Sequence, residues 1–315
     1  MAITINTDGT EKQGVVDDNI VQPFRLEQSN IRGRMVRLGS VLEEMIVKHD
    51  YPPPVSALLQ ELTVLGLLLS AMLKYKGIFT LQISADGPIS TLVADVTSEG
   101  HVRSWAGFDD TAVKKSAKRK GDQMNNFFHL LGKGHMAFTV DQEGSTERYQ
   151  GIVELSGDSL ADCVQHYFEQ SEQIKTKVKL STHPQDSQWR AGAIMVQQMP
   201  KEGGHIKKEI SEEEEDWNRT TILLSTCTED ELLSPNLHSA EVLYRLFHED
   251  GVRIYPEVLV KHQCRCSKDR VGLAVQALPA SEIDDIFEQD GVLTITCKFC
   301  GHEYNLDKPE VDALL

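Results

Sequence analysis

Four of the six cysteines in this 315-residue chain fall in two short stretches, HQCRCSKDR (262–270) and TCKFCGHEY (296–304). If these thiols act together, segments some thirty residues apart in sequence must meet in space. In the second stretch Cys297 and Cys300 are separated by two residues and followed by Gly301. That is the shape of a zinc knuckle: two thiolates grip one tetrahedral ion, and the glycine accepts the left-handed backbone of the tight turn. Cys264 and Cys266 supply two further ligands. The expected site is a closed four-cysteine centre holding one Zn2+ per chain, with no position open for a substrate. Four thiolates around a divalent cation leave a net negative site, which Lys261, Arg265, Lys268 and Lys298 are placed to offset. His262 and His302 are candidate substitute ligands, but four cysteines already complete a tetrahedron, so supporting or solvent-facing roles are expected for both.

The other two cysteines, Cys163 and Cys227, are isolated and read as small buried apolar residues. Six cysteines are too few for a secreted disulfide scaffold. The first residues, MAITINTDGTEKQG, lack the charged-then-apolar layout of a signal peptide. The longest apolar stretch, PVSALLQELTVLGLLLSAML (Pro54–Leu73), is interrupted by Gln60 and Glu61 and reads as a core helix, not a membrane span. A cytoplasmic chain with no membrane partner is expected. That compartment keeps thiols reduced, and clustered cysteines there bind metal or do redox chemistry.

A formal net charge of −16, from 32 basic and 48 acidic residues, argues against a nucleic-acid partner. KKSAKRKG (114–121) is a local exception. No aromatic residue interleaves its cations, so a solvated helix face is the reading. No enzyme is indicated: H-E-x-x-H, G-x-S-x-G and G-x-x-x-x-G-K-[ST] are all missing from the sequence. LGKGHMAF (131–138) lacks phosphate-loop spacing and reads as a turn between helix and strand.

Periodicity gives an α+β fold in three parts. Residues 1–199 read as a mixed α/β core domain. Helical spacing occurs over 39–49 and Val55–Leu73, the latter apolar almost all round. Turn-bounded strands follow at 77–87, 89–100 and 101–108, then a helix near 116–131 and a hairpin over 135–155. A Ser-capped helix (159–171) and strands at 174–182 and 189–199 complete the core. Residues 200–253 read as an acidic, helical linker, with 6 basic and 13 acidic residues between Met199 and Arg253. Charge repulsion would favour its unfolded form and make it metastable, but on composition alone an ordinary helical linker is the better reading. Residues 254–315 read as a small zinc-binding module: a strand over 252–266 entering the first cysteine pair, helices over 267–278 and 281–291, and a strand–turn–strand at 292–306. A core of about sixty residues needs a staple.

A static staple is the common use of such a site. The C-x-C spacing of Cys264 and Cys266 pulls toward a switch, because two sulfurs with one residue between them close only a strained, labile ring. Zinc also holds thiols as thiolates, the form that oxidants attack.

CRC and CKFCGHEY, about thirty residues apart behind a mixed core and a helical linker, resemble the bacterial redox-regulated holdase chaperones of the heat-shock protein thirty-three family. NIRGRMVRLG (30–39), LLLSAMLKYKGIFTLQI (67–83) and AIMVQQMP (193–200) support the resemblance, which runs from about Asn19 to Asp307. It implies an ATP-independent holdase, inactive when reduced with zinc on Cys264, Cys266, Cys297 and Cys300. Oxidative stress, usually with heat, then forms two disulfides, Cys264–Cys266 and Cys297–Cys300, releases zinc and unfolds the linker. The exposed surface binds unfolding client proteins, and oxidised chains form homodimers. The acidic run EISEEEED (209–216) is longer than this family leads one to expect and bears on how readily the linker unfolds. Ile222, Leu223, Leu224, Leu243 and Phe247 are candidate client contacts. A zinc-ribbon nucleic-acid binder with a purely structural zinc is the alternative, and a thioredoxin-like use of Cys297 and Cys300 lacks its βαβ context.

Overall fold

The long apolar run forms a helix because prolines 53 and 54 occupy its first turn, where a missing N–H costs nothing, and the residues after them are strong helix formers. In the computed structural model, which describes residues 18–117, 128–145, 148–183, 189–199, 208–279, 283, 287 and 291–314, α1 (Ser40–Ile46) precedes this helix, α2 (Pro53–Ser70). By length and composition α2 is apolar enough to cross a membrane, yet 78% of it is buried inside the protein. It is the core helix the sequence implies, packed against both sheets of an α+β fold.

The first sheet comprises β1 (Ile20–Leu26), β2 (Ile31–Leu38), β8 (Thr176–His183), β9 (Arg190–Gln198) and β10 (Val252–Ile254), in the order β10-β1-β2-β9-β8, with β11 (Val258–Leu259) also on β1. The second comprises β3 (Gly77–Ala85), β4 (Ile89–Thr97), β5 (His101–Phe108), β6 (Gly134–Gln142), β7 (Arg148–Glu154) and β12 (Lys261–His262), in the order β12-β5-β4-β3-β6-β7. Alternation sets the faces: Phe79, Leu81 and Ile83 of β3 point into the α2 core, while Thr80 and Gln82 point away. The hairpin expected over 135–155 is β6 paired with β7. The Ser-capped helix is α5 (Leu160–Tyr167), Ser159 accepting from the Asp162 N–H. Of the helix expected near 116–131, the two ends fall on α3 (Asp110–Ala117) and α4 (Phe128–Leu131); residues 118–127, including the end of the basic run, lie outside the described residues.

The linker forms α6 (Ile210–Thr226), α7 (Glu229–Leu233) and α8 (Ser239–Phe247), laid over the face of the first sheet away from α2. Phe24, Leu26, Ile31, Met35, Ile194 and Val196 of the sheet meet Leu224, Cys227, Leu232, Leu243 and Phe247 in one buried cluster. Phe24 lies across Gly33 of the neighbouring strand, where a Cβ would fall 2.1 Å from its ring, and stacks on Phe247 at 5.9 Å. Only glycine leaves room for that ring. Arg37, just 1% exposed, reaches through to donate to the Ser234 and Leu237 carbonyls. The acidic run is not left to repel itself. It opens α6 with a capping box between Glu209 and Glu212, where negative charge suits the helix dipole. Lys208 and Arg219 pair with Asp216, and Lys175 pairs with Glu214.

One expectation needs correcting. The strand read over 252–266 as the entry to the zinc module is three short strands, β10, β11 and β12. They pair with β1 and β5 of the two large sheets instead of with each other. Tyr255 and Pro256 stand in the first of the breaks between them, and each piece finds a different sheet edge. The remaining module has a small core from Val271, Val275, Ile283, Leu293, Leu306 and Val311. Most of the helix expected over 281–291 lies outside the described residues.

Candidate metal centre

The second cysteine pair occupies the turn of a hairpin between β13 (Leu293–Thr296) and β14 (Glu303–Leu306). The Gly301 N–H donates to the Cys297 carbonyl at 2.8 Å, and the Cys297 N–H donates to the His302 carbonyl at 2.9 Å. Gly301 has φ of 70°, the left-handed conformation that the knuckle spacing asks of it. The first pair lies between the end of β12 and Ser267, which caps α9 (Lys268–Gln276) by accepting from the Arg270 N–H. A strand end, a helix start and a hairpin turn thus aim four sulfurs at one point.

The four Sγ atoms lie within 4.8 Å of one another, with 3.6 Å between Cys264 and Cys297 and 3.5 Å between Cys266 and Cys300. Thiolates about 2.3 Å from a tetrahedral zinc would stand about 3.8 Å apart, so the donor set fits that ion. The protonation pattern also asks for a cation. Burial raises the Cys264 thiol, but hydrogen bonds from the Cys266 N–H and the neighbouring thiols outweigh it and bring it to about 7. Burial raises Cys297, and raises Cys300 to about 12 with help from the surrounding thiols. The Cys264 proton leaves easily; those of Cys297 and Cys300 need a positive charge to replace them. Backbone N–H groups of Phe299, Cys300 and His302 already point at the sulfurs of the second pair. Tyr304 hydrogen-bonds to Cys266, which with burial holds the phenol up to about 12. Nothing in the spacing of the cysteines marks that supporting contact.

The spacer residues of both cysteine pairs grip the second sheet. Arg265, between Cys264 and Cys266, reaches Asp95 of β4 at 2.6 Å. Asp95 is 8% exposed and also accepts from Arg103 at 2.8 Å and from Thr80 at 2.7 Å. Between Cys297 and Cys300, Phe299 receives the Arg103 guanidinium 3.8 Å over its ring and meets Trp105 edge-on at 6.2 Å. Its carbonyl is 3.2 Å from His49 Nε2, and Lys298 Nζ lies 5.0 Å over the Trp105 ring. Asp95, Arg103, Trp105 and His49 therefore bind the loops that carry the thiols.

This arrangement matches known proteins over nearly its full length. A family model described as Hsp33 protein matches residues 19–307. The 33 kDa chaperonin of Caulobacter vibrioides is 37% identical over 310 residues, covering 96% of this chain and 99% of that protein. The 33 kDa chaperonin of Nitrosococcus oceani is 34% identical over 291 residues, 92% of each chain. The chain belongs to the Hsp33 family. In fold it also resembles the crystal structure of the 33 kDa chaperonin from Thermotoga maritima, with a TM-score of 0.78 at 23% identity over 94% of this chain and 97% of that one.

In this Hsp33 chain the other residues singled out by the sequence take varied places. His262 stays outside the sulfur cluster, its ring 3.7 Å from Glu44, with burial lowering its pKa. His302 is exposed and packs edge-on to Tyr304 at 4.6 Å. The four cations divide. Arg265 serves Asp95 while feeling Cys264, Lys298 sits over Trp105, Lys268 pairs with Glu310, and Lys261 is exposed. Cys163 and Cys227 are buried, and burial raises both thiols, Cys227 to about 11. Of the linker candidates, Leu224, Leu243 and Phe247 lie in the covered cluster and Leu223 packs against it. Ile222 does not: it is 63% exposed, two positions round the helix from the buried stripe of Asp216, Thr220 and Leu224.

Proposed function

We propose that this heat-shock chaperone is a redox-regulated, ATP-independent holdase of the cytoplasm, with Cys264, Cys266, Cys297 and Cys300 as both zinc ligands and redox switch. The division proposed is a core of 1–199, a metastable linker of 200–253 and a zinc-binding module of 254–315. Bound zinc would hold all four sulfurs as thiolates and staple the module's small core. Peroxide takes two electrons from each cysteine pair and leaves as water. The products are the disulfides Cys264–Cys266 and Cys297–Cys300, in which the sulfurs no longer offer a ligand set, so the metal is lost.

Loss of the knuckle geometry displaces Phe299 and Arg265 from Arg103, Trp105 and Asp95, and frees β10 to β12 from the sheet edges. The linker helices follow, baring the apolar face of the first sheet to unfolding client proteins; oxidised chains pair as homodimers. The observation that carries this reading is the buried cluster between sheet and linker, a large apolar surface closed by a segment of its own chain. Holdase activity needs such a surface hidden at rest, since patches of this size mark binding sites when exposed.

The test is light scattering of a thermally unfolding client, with the reduced, zinc-loaded chain compared with the same chain after peroxide at elevated temperature. Suppression of aggregation only after oxidation is expected. No suppression in either state would reduce the site to a plain zinc staple. Peptide mapping of the oxidised chain should find the two in-pair disulfides, and cross-pair bonds would refute the pairing.

A further inference from the structure

A row of arginines crosses the first sheet beside the linker's return strand. In register, Arg253 of β10 stands opposite Arg25 of β1, Arg25 opposite Arg32 of β2, and Arg32 opposite Gln197 of β9. Arg34, two residues along β2, points to the same face. Like charges directly opposite one another on a sheet are destabilising. Of these four, only Arg253 has a carboxylate among the described residues, Glu27 at 3.1 Å. Arg32 donates to the Gln197 side-chain oxygen at 3.2 Å, and Arg34 donates to the Ala71 and Gly33 carbonyls. Arg25 has no side-chain partner among the described residues, and the Nε atoms of Arg25 and Arg32 are buried without an acceptor. In a chain of net charge −16, such a concentration of guanidinium groups without a carboxylate among the described residues calls for a counter-charge.

The counter-charge has a place to sit. Arg25, Arg32 and Arg34 line a cavity of about 430 Å³ together with Pro23, Met199 and Tyr255, within the size range of small-ligand sites. Burial and the neighbouring Arg32 charge lower Arg34 to about 10, the strain expected of cations packed together without an anion. We propose that this cavity binds a compact, multiply charged oxyanion of the phosphate type, held by the forked donors of Arg25, Arg32 and Arg34. Guanidinium groups match phosphate oxygens two at a time, which suits three of them converging on one anion.

The site also bears on regulation, and that part rests on the holdase reading above. Tyr255 belongs to the segment joining β10 to β11, tied to β1 by its N–H to the Pro23 carbonyl at 3.0 Å and by Gln22 to its own carbonyl at 2.5 Å. An anion in the cavity relieves repulsion across the β10–β1–β2 row, so it binds the closed chain better than one in which β10 has left. By mass action it then stabilises the closed form.

The experiment uses the full, zinc-loaded, reduced chain, with pyrophosphate as probe and sodium chloride at matched ionic strength as control. Calorimetric titration and thermal unfolding are read for wild type, Arg32→Gln, and Arg148→Gln as an exposed control. Pyrophosphate should bind wild type and Arg148→Gln, and bind Arg32→Gln at least tenfold more weakly. Without anion, Arg32→Gln should unfold no lower than wild type, since it removes a repulsion; a drop in Tm would assign Arg32 a merely structural role and overturn the site. Equal shifts in pyrophosphate and chloride, or equal binding by Arg32→Gln, would also overturn it. Repeating the titration with a mononucleotide separates free from esterified phosphate, and tighter binding of either supports the site. If peroxide activation is slower with pyrophosphate, the regulatory part holds; if binding occurs and activation is unchanged, the site stands and its regulatory role falls.

Discussion

The linker helices and the cysteine module both lie on the core, and they are held by opposite means. α6 to α8 close over the first sheet through a wide apolar cluster with Phe24 and Phe247 at its centre. The module meets the second sheet through a few polar and aromatic contacts around Asp95 and Phe299, and has six buried apolar residues for a core among the described residues. A broad apolar contact offers oxidants no thiolate to attack. A small core fastened by thiolates is weak without its metal and directly open to them. In the proposed reading the sensor lies in the small module and the client-binding surface lies under the linker helices, with β10 to β12 between them.

That contrast can be broken at several points. If zinc sits on the four sulfurs as proposed, a chelator should unfold the reduced module with loss of about 10–16 kcal/mol of binding free energy, and Cys297→Ser, which removes one ligand, should unfold it with a smaller loss. Protease cleavage confined at first to residues after 262 would show it, and an intact module would contradict the staple. Phe247→Ala should destabilise the linker cover by about 3–5 kcal/mol, raising hydrophobic dye binding in the reduced state while zinc content stays unchanged.

A change in the shared scaffold should leave the contrast alone. Burial raises Glu61, on α2, to about 7. A carboxyl raised in the folded chain binds its proton more tightly there, so stability falls as pH rises from about 4.5 through 7. Glu61→Gln should therefore gain about 2 kcal/mol at pH 8, after allowance for partial exposure, and almost nothing at pH 4. Urea unfolding at the two pH values measures it. The smallest effect belongs to Phe299→Ala, about 1 kcal/mol from the lost ring contacts with Arg103 and Trp105. It should lower the peroxide or temperature needed for activation, read by dye binding, without weakening zinc.

Much of this is legible in the amino-acid sequence where the controlling forces are local. The knuckle turn is set by two residues of spacing and a glycine, so the positions of Cys297, Cys300 and Gly301 in it follow from their order along the chain. α2 announces itself by apolar periodicity, and α5 by its Ser159 cap. What stays hidden depends on distant partners. Nothing in VRIYPEVLVKHQ marks three strands for two different sheets, because strand pairing carries little signature of its partner. Phe299 reads as an ordinary loop residue until Arg103 and Trp105 are found beneath it. The acidic run at 209–216 looks self-repelling because its capping box and its pairs with Lys175 and Arg219 are visible only once α6 is set on the sheet.

The pairing of β10 and β11 with β1, and of β12 with β5, has a consequence for synthesis. These strands join residues 20–26 and 101–102 to residues beyond 250, so closure is among the last events available to a chain emerging from a ribosome. Until then the core has its sheet edges unpaired and its apolar face bare, the conditions under which chains stick to one another. Every newly made copy therefore passes through a state resembling the open form proposed for the oxidised chain, without any oxidant.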